Sequence, residues 1–210
     1  MPDASVLFAF SGPRASGKED IYHEVKRLAR EHHPDQPLVF VESVLKKPHP
    51  LYWSREHRAK HPTTRLVENF AEFNQAGIDL VRPSIDAGYT VVSLRYGLDV
   101  YLDSIAETDC AQAKSEAFEL WHKHLVPARV VRRTPKPQYI IVNTVPDAGH
   151  AIKSFHRRQE RDIAEYFDGT GQLPPIYLSS ISSLEERARE ALSHILAAVC
   201  ARKNSFDAYA

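Results

Sequence analysis

A glycine-rich loop between an apolar strand and an amphipathic helix constrains this chain more than any other feature. The run Gly12–Glu19, GPRASGKE, fits the pattern GxxxxGK, with Glu19 where Ser or Thr usually follows the lysine. The apolar run Val6–Phe10 comes before it and predicts a buried strand. After the loop, apolar residues recur at helical spacing as far as Leu28. This order of strand, loop and helix is the context that a phosphate-binding loop requires.

The chemistry of such a loop follows from its backbone. Glycines let consecutive N–H groups turn inward towards phosphate oxygens, and the helix that follows adds its positive N-terminal end. Lys18 would neutralise the β and γ phosphates and the charge that develops during transfer. The sequence therefore predicts that ATP and Mg²⁺ bind here. The residues predicted to hold the nucleotide are Gly12, Pro13, Arg14, Ala15, Ser16, Gly17, Lys18 and Glu19.

Two charged residues of the loop have alternative interpretations. Glu19 could bind Mg²⁺, which prefers oxygen ligands, or could be a first-turn acid favoured by the helix dipole. Arg14 could contact the γ-phosphate or an acceptor phosphate, or could be a solvated residue paired with a surface acid.

Composition favours an ordinary globular protein in a reducing compartment. Lys+Arg and Asp+Glu number 27 each, so net charge gives no general attraction to nucleic acid or to an anionic membrane. The two cysteines, Cys110 and Cys200, lie far apart and predict no disulfide framework. No apolar run reaches membrane-spanning length and the first residues do not read as a signal peptide, so we expect a cytoplasmic protein. The histidine pairs, such as His32-His33, do not have a zinc-binding pattern.

Five predicted strands alternate with predicted helices along the 210 residues. The strands are Val6–Phe10, Leu38–Val41, Thr90–Ser93, Tyr139–Val145 and Ile176–Leu178. This alternation predicts one α/β domain over residues 1–210, with a mostly parallel five-stranded sheet and helices on both faces. Together with the phosphate loop, it predicts a P-loop NTPase fold. Residues 46–65 predict a basic, aromatic insertion over the acceptor site. Residues 150–168 predict an Arg-rich lid.

Several segments together resemble thymidylate kinase, a P-loop nucleoside monophosphate kinase. LFAFSGPRASGK is similar to the family's first strand and loop, and Phe70–Tyr96 to its helix and third strand. Pro137–Asp162 is similar to its fourth strand and lid. The resemblance covers most of the chain and implies phosphoryl transfer from ATP to a (deoxy)nucleoside monophosphate. The chain differs from the family at Arg14, Glu19 and Leu94, and at Phe73-Asn74-Gln75, where the family carries an arginine. These differences suggest a modified pyrimidine as an alternative to dTMP, for example 5-hydroxymethyl-dUMP.

The resemblance also implies roles for particular residues. Arg95 falls on the arginine that holds the acceptor monophosphate, and it follows a strand at the sheet edge where ligands bind. Its alternative is a structural salt bridge, for instance with Asp99, which could itself be a metal or base-positioning carboxylate or a helix cap. The predicted catalytic residues are Lys18, Arg14, Arg95, Arg157, Arg158 and Arg161. The predicted acceptor-binding residues are Trp53, Phe70, Phe73, Asn74, Gln75, Arg95, Tyr96 and Asp99.

Other interpretations stay open at this stage. The loop GPRASGKE also resembles that of animal phosphomevalonate kinase, which would make the acceptor a non-nucleotide phosphate. The lid arginines could be only the solvated face of a helix, and the chain could be a nucleotide-binding scaffold without catalysis. The mix of Trp53 with basic residues could grip a base within single-stranded DNA, an acceptor we do not favour. The thymidylate kinase resemblance also suggests a homodimer.

Overall fold

The computed structural model describes residues 6–13, 16–42, 61–106, 108–131, 135–143, 150–170, 174–178 and 182–207. Within them, five strands form one sheet: β1 Leu7–Ser11, β2 Leu38–Val41, β3 Thr90–Leu94, β4 Tyr139–Asn143 and β5 Ile176–Leu178. The strand order is β2-β3-β1-β4-β5, and every pairing is parallel. The predicted α/β fold, with its mostly parallel five-stranded sheet, is confirmed.

Helices connect these strands and pack on the sheet. They are α1 Lys18–His32, α2 Pro62–Ala76, α3 Arg82–Asp86, α4 Gly97–Ile105, α5 Ala111–Leu120, α6 Val126–Val131, α7 His150–Thr170 and α8 Leu184–Asp207. Two π-helical turns, Gly77–Val81 and Trp121–Leu125, join α2 to α3 and α5 to α6. No helix in the described ranges combines the length and apolarity needed to cross a membrane.

Alternate residues of the central strand β1 point to two separate apolar cores, as the period of a strand requires. Phe8 and Phe10 pack in the core that α1 and α8 cover. Leu7 and Ala9 belong to the other core, which α2, α4, α5 and α7 cover. All five β1 residues are buried, and this explains why the segment reads as a continuous apolar run without alternation.

Parallel pairing brings three strand ends to one edge of the sheet. Phe10 of β1 is level with Leu94 of β3, and Ser11 is level with Val142 of β4. The carboxyl ends of β1, β3 and β4 therefore lie together, beside the start of α1. This carboxyl edge is where open α/β sheets bind ligands.

The predicted insertion and lid are only partly within the described ranges. Residues 46–60 of the insertion lie outside them, and from Pro62 the chain forms α2. Residues 150–168 all fall within α7. The division of the chain into one domain with an insertion and a lid stays a prediction.

Candidate active site

Two glycines give the loop after β1 its shape. Gly12 has φ +150° and Gly17 has φ +72°, backbone conformations that residues with a side chain rarely adopt. A Cβ atom on Gly12 would lie 3.0 Å from the carbonyl oxygen of Asn143 and 3.1 Å from Ser16 Oγ. Gly17 caps α1, so Lys18 becomes the first helical residue. The sequence spacing of GxxxxGK is therefore the spacing that this turn requires.

Lys18 lies folded back into the loop. Its ammonium group donates hydrogen bonds to the carbonyl oxygens of Gly12, at 3.1 Å, and Pro13, at 3.2 Å. Only 3% of the residue is exposed. A buried ammonium group needs oxygen partners, and here the loop itself supplies them. Lys18 is thus held at the point where this type of loop binds phosphate.

A buried carboxylate faces the same lysine. Asp99 Oδ1 lies 3.7 Å from Lys18 Nζ, and Asp99 Oδ2 accepts a 2.5 Å hydrogen bond from Ser11 Oγ. Burial raises the pKa of the Asp99 carboxyl to about 6, although Lys18 and the Ser11 hydrogen bond act in the opposite direction. Asp99 Oδ2 also accepts the backbone N–H of Tyr96 at 3.3 Å, in the first turn of α4. Asp99 therefore contacts both the start of α4 and the lysine of the phosphate loop, and a role in binding a metal or positioning a base stays a prediction.

Arg95 pairs with Glu19 across the sheet edge, whereas the sequence suggested Asp99 as its partner. Its Nε and Nη2 atoms lie 3.0 Å and 2.5 Å from Glu19 Oε1. Burial alone would raise the pKa of the Glu19 carboxyl, but Arg95 and Lys18 outweigh burial and lower that pKa. Both members of the pair are therefore charged at neutral pH.

Asn143, at the end of β4, is a site residue that sequence reasoning missed. Its side-chain amide donates to the carbonyl oxygen of Ser16, and its Oδ1 accepts from Arg187 of α8 at 3.0 Å. Asn143 is buried, so these contacts connect the loop to β4 and α8. The available signal was a polar residue at the end of an otherwise apolar strand, YIIVN.

The predicted acceptor-binding residues of α2 occupy two kinds of position, buried and exposed. Phe70 and Phe73 are buried in the core, and Phe73 meets the Tyr96 ring edge-on at 4.6 Å. Asn74 is also buried. Gln75 lies on the surface, where it donates to Asp79 at 2.8 Å. Phe70 and Phe73 therefore pack as core residues, and direct contact with an acceptor stays a prediction.

Comparison with solved structures matches this architecture to a thymidylate kinase from Ehrlichia chaffeensis. The match has a TM-score of 0.54 and 13% sequence identity, and it covers 92% of this chain and 99% of that chain. The fold is that of thymidylate kinase. The thymidylate kinase-like fold expected from the sequence is therefore confirmed. A scan against family models finds no match, and a search of curated proteins finds no significant relative by sequence.

Two of the predicted catalytic arginines, Arg158 and Arg161 of α7, lie beside a cavity lined by residues of α4, α5 and α7. The Arg158 guanidinium pairs with Asp109, and Arg161 is exposed. Both line a cavity of about 820 Å³ whose floor includes Tyr101 and Phe118. The Arg157 side chain lies outside the described part, as do Arg14, Ala15 and Trp53.

The described residues fit the phosphates of a nucleotide. Ser16 Oγ is buried without a hydrogen-bond partner in the described part of the chain, next to a glycine that leaves no room for a side chain. An unpartnered buried hydroxyl beside a lysine is suited to an anionic ligand. Ser11 and Asp99 are oxygen donors of the kind that Mg²⁺ accepts. Glu19, the predicted metal ligand, has its Oε1 atom occupied by Arg95.

Proposed function

We propose that this protein transfers the γ-phosphoryl group of ATP to the phosphate of a (deoxy)nucleoside monophosphate. The acceptor we favour is a pyrimidine deoxynucleotide such as dTMP or a modified form such as 5-hydroxymethyl-dUMP. The observation that carries the proposal is the position of Lys18. Its buried ammonium group lies at the carboxyl edge of a parallel sheet, between loop carbonyls and Asp99, with Arg95 at the next strand end.

The donor side of the reaction follows from the loop contacts. Lys18 would leave the carbonyl oxygens of Gly12 and Pro13 for the β and γ phosphates, because phosphate offers it a full negative charge. The Ser16 hydroxyl and the backbone N–H groups at the start of α1 would bind further phosphate oxygens. The side-chain oxygen atoms of Ser11 and Asp99 would hold Mg²⁺, which would neutralise negative charge on the triphosphate.

The acceptor side depends on Arg95. Its guanidinium would hold the acceptor phosphate so that one oxygen faces the γ-phosphorus in line with the leaving ADP. That oxygen attacks, the bond between the γ-phosphorus and the bridging oxygen breaks, and ADP and a nucleoside diphosphate result. Because phosphoryl transfer needs little covalent help, position and charge would supply the catalysis. Arg161 of α7, which is exposed, would supply a further positive charge to the γ-phosphoryl group.

An ADP-release assay tests the proposal. Purified protein with ATP and Mg²⁺ is offered common nucleoside and deoxynucleoside monophosphates, 5-hydroxymethyl-dUMP, phosphomevalonate and single-stranded DNA. We expect ADP production that depends on one pyrimidine deoxynucleoside monophosphate. Turnover with phosphomevalonate or DNA alone would reject the proposed acceptor class. Absence of acceptor-dependent ADP release throughout, with ATP bound, would favour a non-catalytic nucleotide-binding scaffold.

A further inference from the structure

An ion pair connects the phosphate-loop helix to the end of the neighbouring strand. Glu19 follows Lys18 directly in the first turn of α1, and Arg95 follows β3. Two N–H groups of Arg95 meet the same carboxylate oxygen, at 3.0 Å from Nε and 2.5 Å from Nη2. The two residues are 76 positions apart in the chain, so their contact is a product of the fold.

The backbone of Arg95 is held by a hydrogen bond, as its side chain is. Its N–H donates to the carbonyl oxygen of Phe10 at 2.9 Å, which ties it to β1. Its φ is +58°, a left-handed conformation that costs a residue with a side chain about 1–2 kcal/mol. Such a conformation persists only where the surroundings enforce it, and this is common at ligand sites. Arg95 is therefore fixed at both ends, by Phe10 at the main chain and by Glu19 at the guanidinium.

The pair leaves Arg95 equipped to bind phosphate. A guanidinium has five N–H groups, and Glu19 Oε1 receives two of them. The nearby carboxylates of Asp99 and Asp103 also favour the positive charge of this guanidinium. Side-chain exposure is 38% for Arg95 and 34% for Glu19, so a ligand can reach the pair from solvent. A planar, fixed guanidinium suits the oxygens of a phosphate monoester.

We propose that Glu19 is a positioning residue that holds Arg95 in place for the acceptor phosphate. The helix that binds the donor phosphates would then also align the acceptor. This inference rests on the proposed function, because it needs a phosphate acceptor at Arg95. It also gives a physical reason for the acid at a position where P-loops usually carry a hydroxyl. A metal ion on Glu19 would compete with Arg95 for the same oxygen.

Substitution at Glu19 separates positioning from metal binding. Glu19→Gln removes the charge and keeps the shape, while Glu19→Ser supplies the usual P-loop hydroxyl. We expect both variants to raise the acceptor KM about 10- to 100-fold, the range for a lost charge-assisted hydrogen bond. MgATP affinity, measured by calorimetry without acceptor, should stay within about twofold. Glu31→Gln is the matched control, because it breaks an exposed pair with Arg27 at the far end of α1.

Arg95→Lys provides the second arm. It keeps the charge but loses the planar fork, so it should raise the acceptor KM in the same way. In the double variant Glu19→Gln/Arg95→Lys, the effects should not add, since the two residues act as one unit. Additive effects would contradict the inference. So would an unchanged acceptor KM together with weaker MgATP binding or a higher Mg²⁺ requirement, which would make Glu19 a metal ligand.

The same experiment distinguishes failure of the inference from failure of the proposed function. If the unaltered protein phosphorylates a monophosphate and Glu19→Gln does so with the same acceptor KM, only the positioning role is rejected. If the unaltered protein phosphorylates no monophosphate, the proposed function fails and the positioning role fails with it.

Discussion

At the scale of single residues, the site depends on charged side chains that pair with one another locally. Lys18, Asp99 and Ser11 form one connected group, and Glu19 with Arg95 forms another beside it. The sequence identified all of these residues except Ser11 as site candidates, because motif spacing marks the loop and resemblance marks the strand end. It could not identify the pairing, because the partners come from segments about 80 residues apart and meet only through the sheet order.

Asp99 makes stability depend on pH in a predictable direction. Its pKa is raised from 3.8 to about 6 in the folded protein. Folding therefore favours the protonated carboxyl, and this contribution is complete below about pH 4 and is lost as pH rises through about 6. Relative to Asp99→Asn, the unaltered protein should lose roughly 2–3 kcal/mol of stability between about pH 4 and pH 7.5. Urea unfolding of both proteins at the two pH values measures this.

The difference between the two proteins removes the contribution of groups that titrate alike in both. If the difference in stability between the two proteins stays constant across the pH range, burial does not raise the pKa of Asp99. A difference of opposite sign would show that Lys18 and Ser11 lower its pKa more than burial raises it.

At the scale of elements, the phosphate loop is held by contacts with β4 and α8, two elements that are distant from it in the chain. Asn143 of β4 contacts Ser16 of the loop and Arg187 of α8. The apolar run predicted β4, and the Ser183–Glu186 capping box predicted the start of α8. That these two elements meet behind the loop was not predictable, because it follows from the pairing of β4 with β1.

Removing Asn143 should loosen the loop. Asn143→Ala leaves the Ser16 carbonyl oxygen without its side-chain donor, at a cost of about 1–3 kcal/mol in unfolding free energy. We expect ATP affinity to fall about tenfold or more, because the loop must then be ordered by the ligand. Calorimetric titration with ATP measures the affinity, and thermal unfolding measures the stability.

Arg187→Ala should weaken ATP binding in the same direction but less, because Arg187 reaches the loop only through Asn143. The matched control is Arg189→Ala on the same helix, since Arg189 pairs with Glu185 on the surface. If Asn143→Ala binds ATP as tightly as the unaltered protein, the contacts of Asn143 with Ser16 and Arg187 do not keep the loop ready for ATP.

At the scale of the whole molecule, the alternation of apolar runs with helical patterns was sufficient to predict the fold class, a mostly parallel sheet with helices on both faces. Two strands, β2 and β5, keep their predicted bounds. Strand β4 begins at Tyr139 as predicted, and the last two residues of its predicted range, 144 and 145, lie outside the described part of the chain. Helix α2 shows the limit of such reasoning. The apolar stripe containing Phe70 and Phe73 predicts a helix, but the same stripe serves either a core or an acceptor pocket, and only packing distinguishes them.

Phe73 provides a stability test of the core on this side of the sheet. It is fully buried and packs edge-on against Tyr96, so Phe73→Ala should cost about 3–5 kcal/mol. Denaturant unfolding measures the loss. Val67→Ala on the same helix is the control, because Val67 is exposed and should change stability by less than about 0.5 kcal/mol. A loss below about 1 kcal/mol for Phe73→Ala would contradict the packing described here.

The most direct test of the account is acceptor-dependent ADP production by Lys18→Ala, beside Lys26→Ala on the same helix. Lys26 forms an exposed pair with Glu42, so its removal controls for loss of a lysine from α1. The account predicts that Lys18→Ala remains folded by circular dichroism and loses about 100-fold or more of its turnover, while Lys26→Ala stays active. Unchanged turnover in folded Lys18→Ala protein would contradict phosphoryl transfer at this loop.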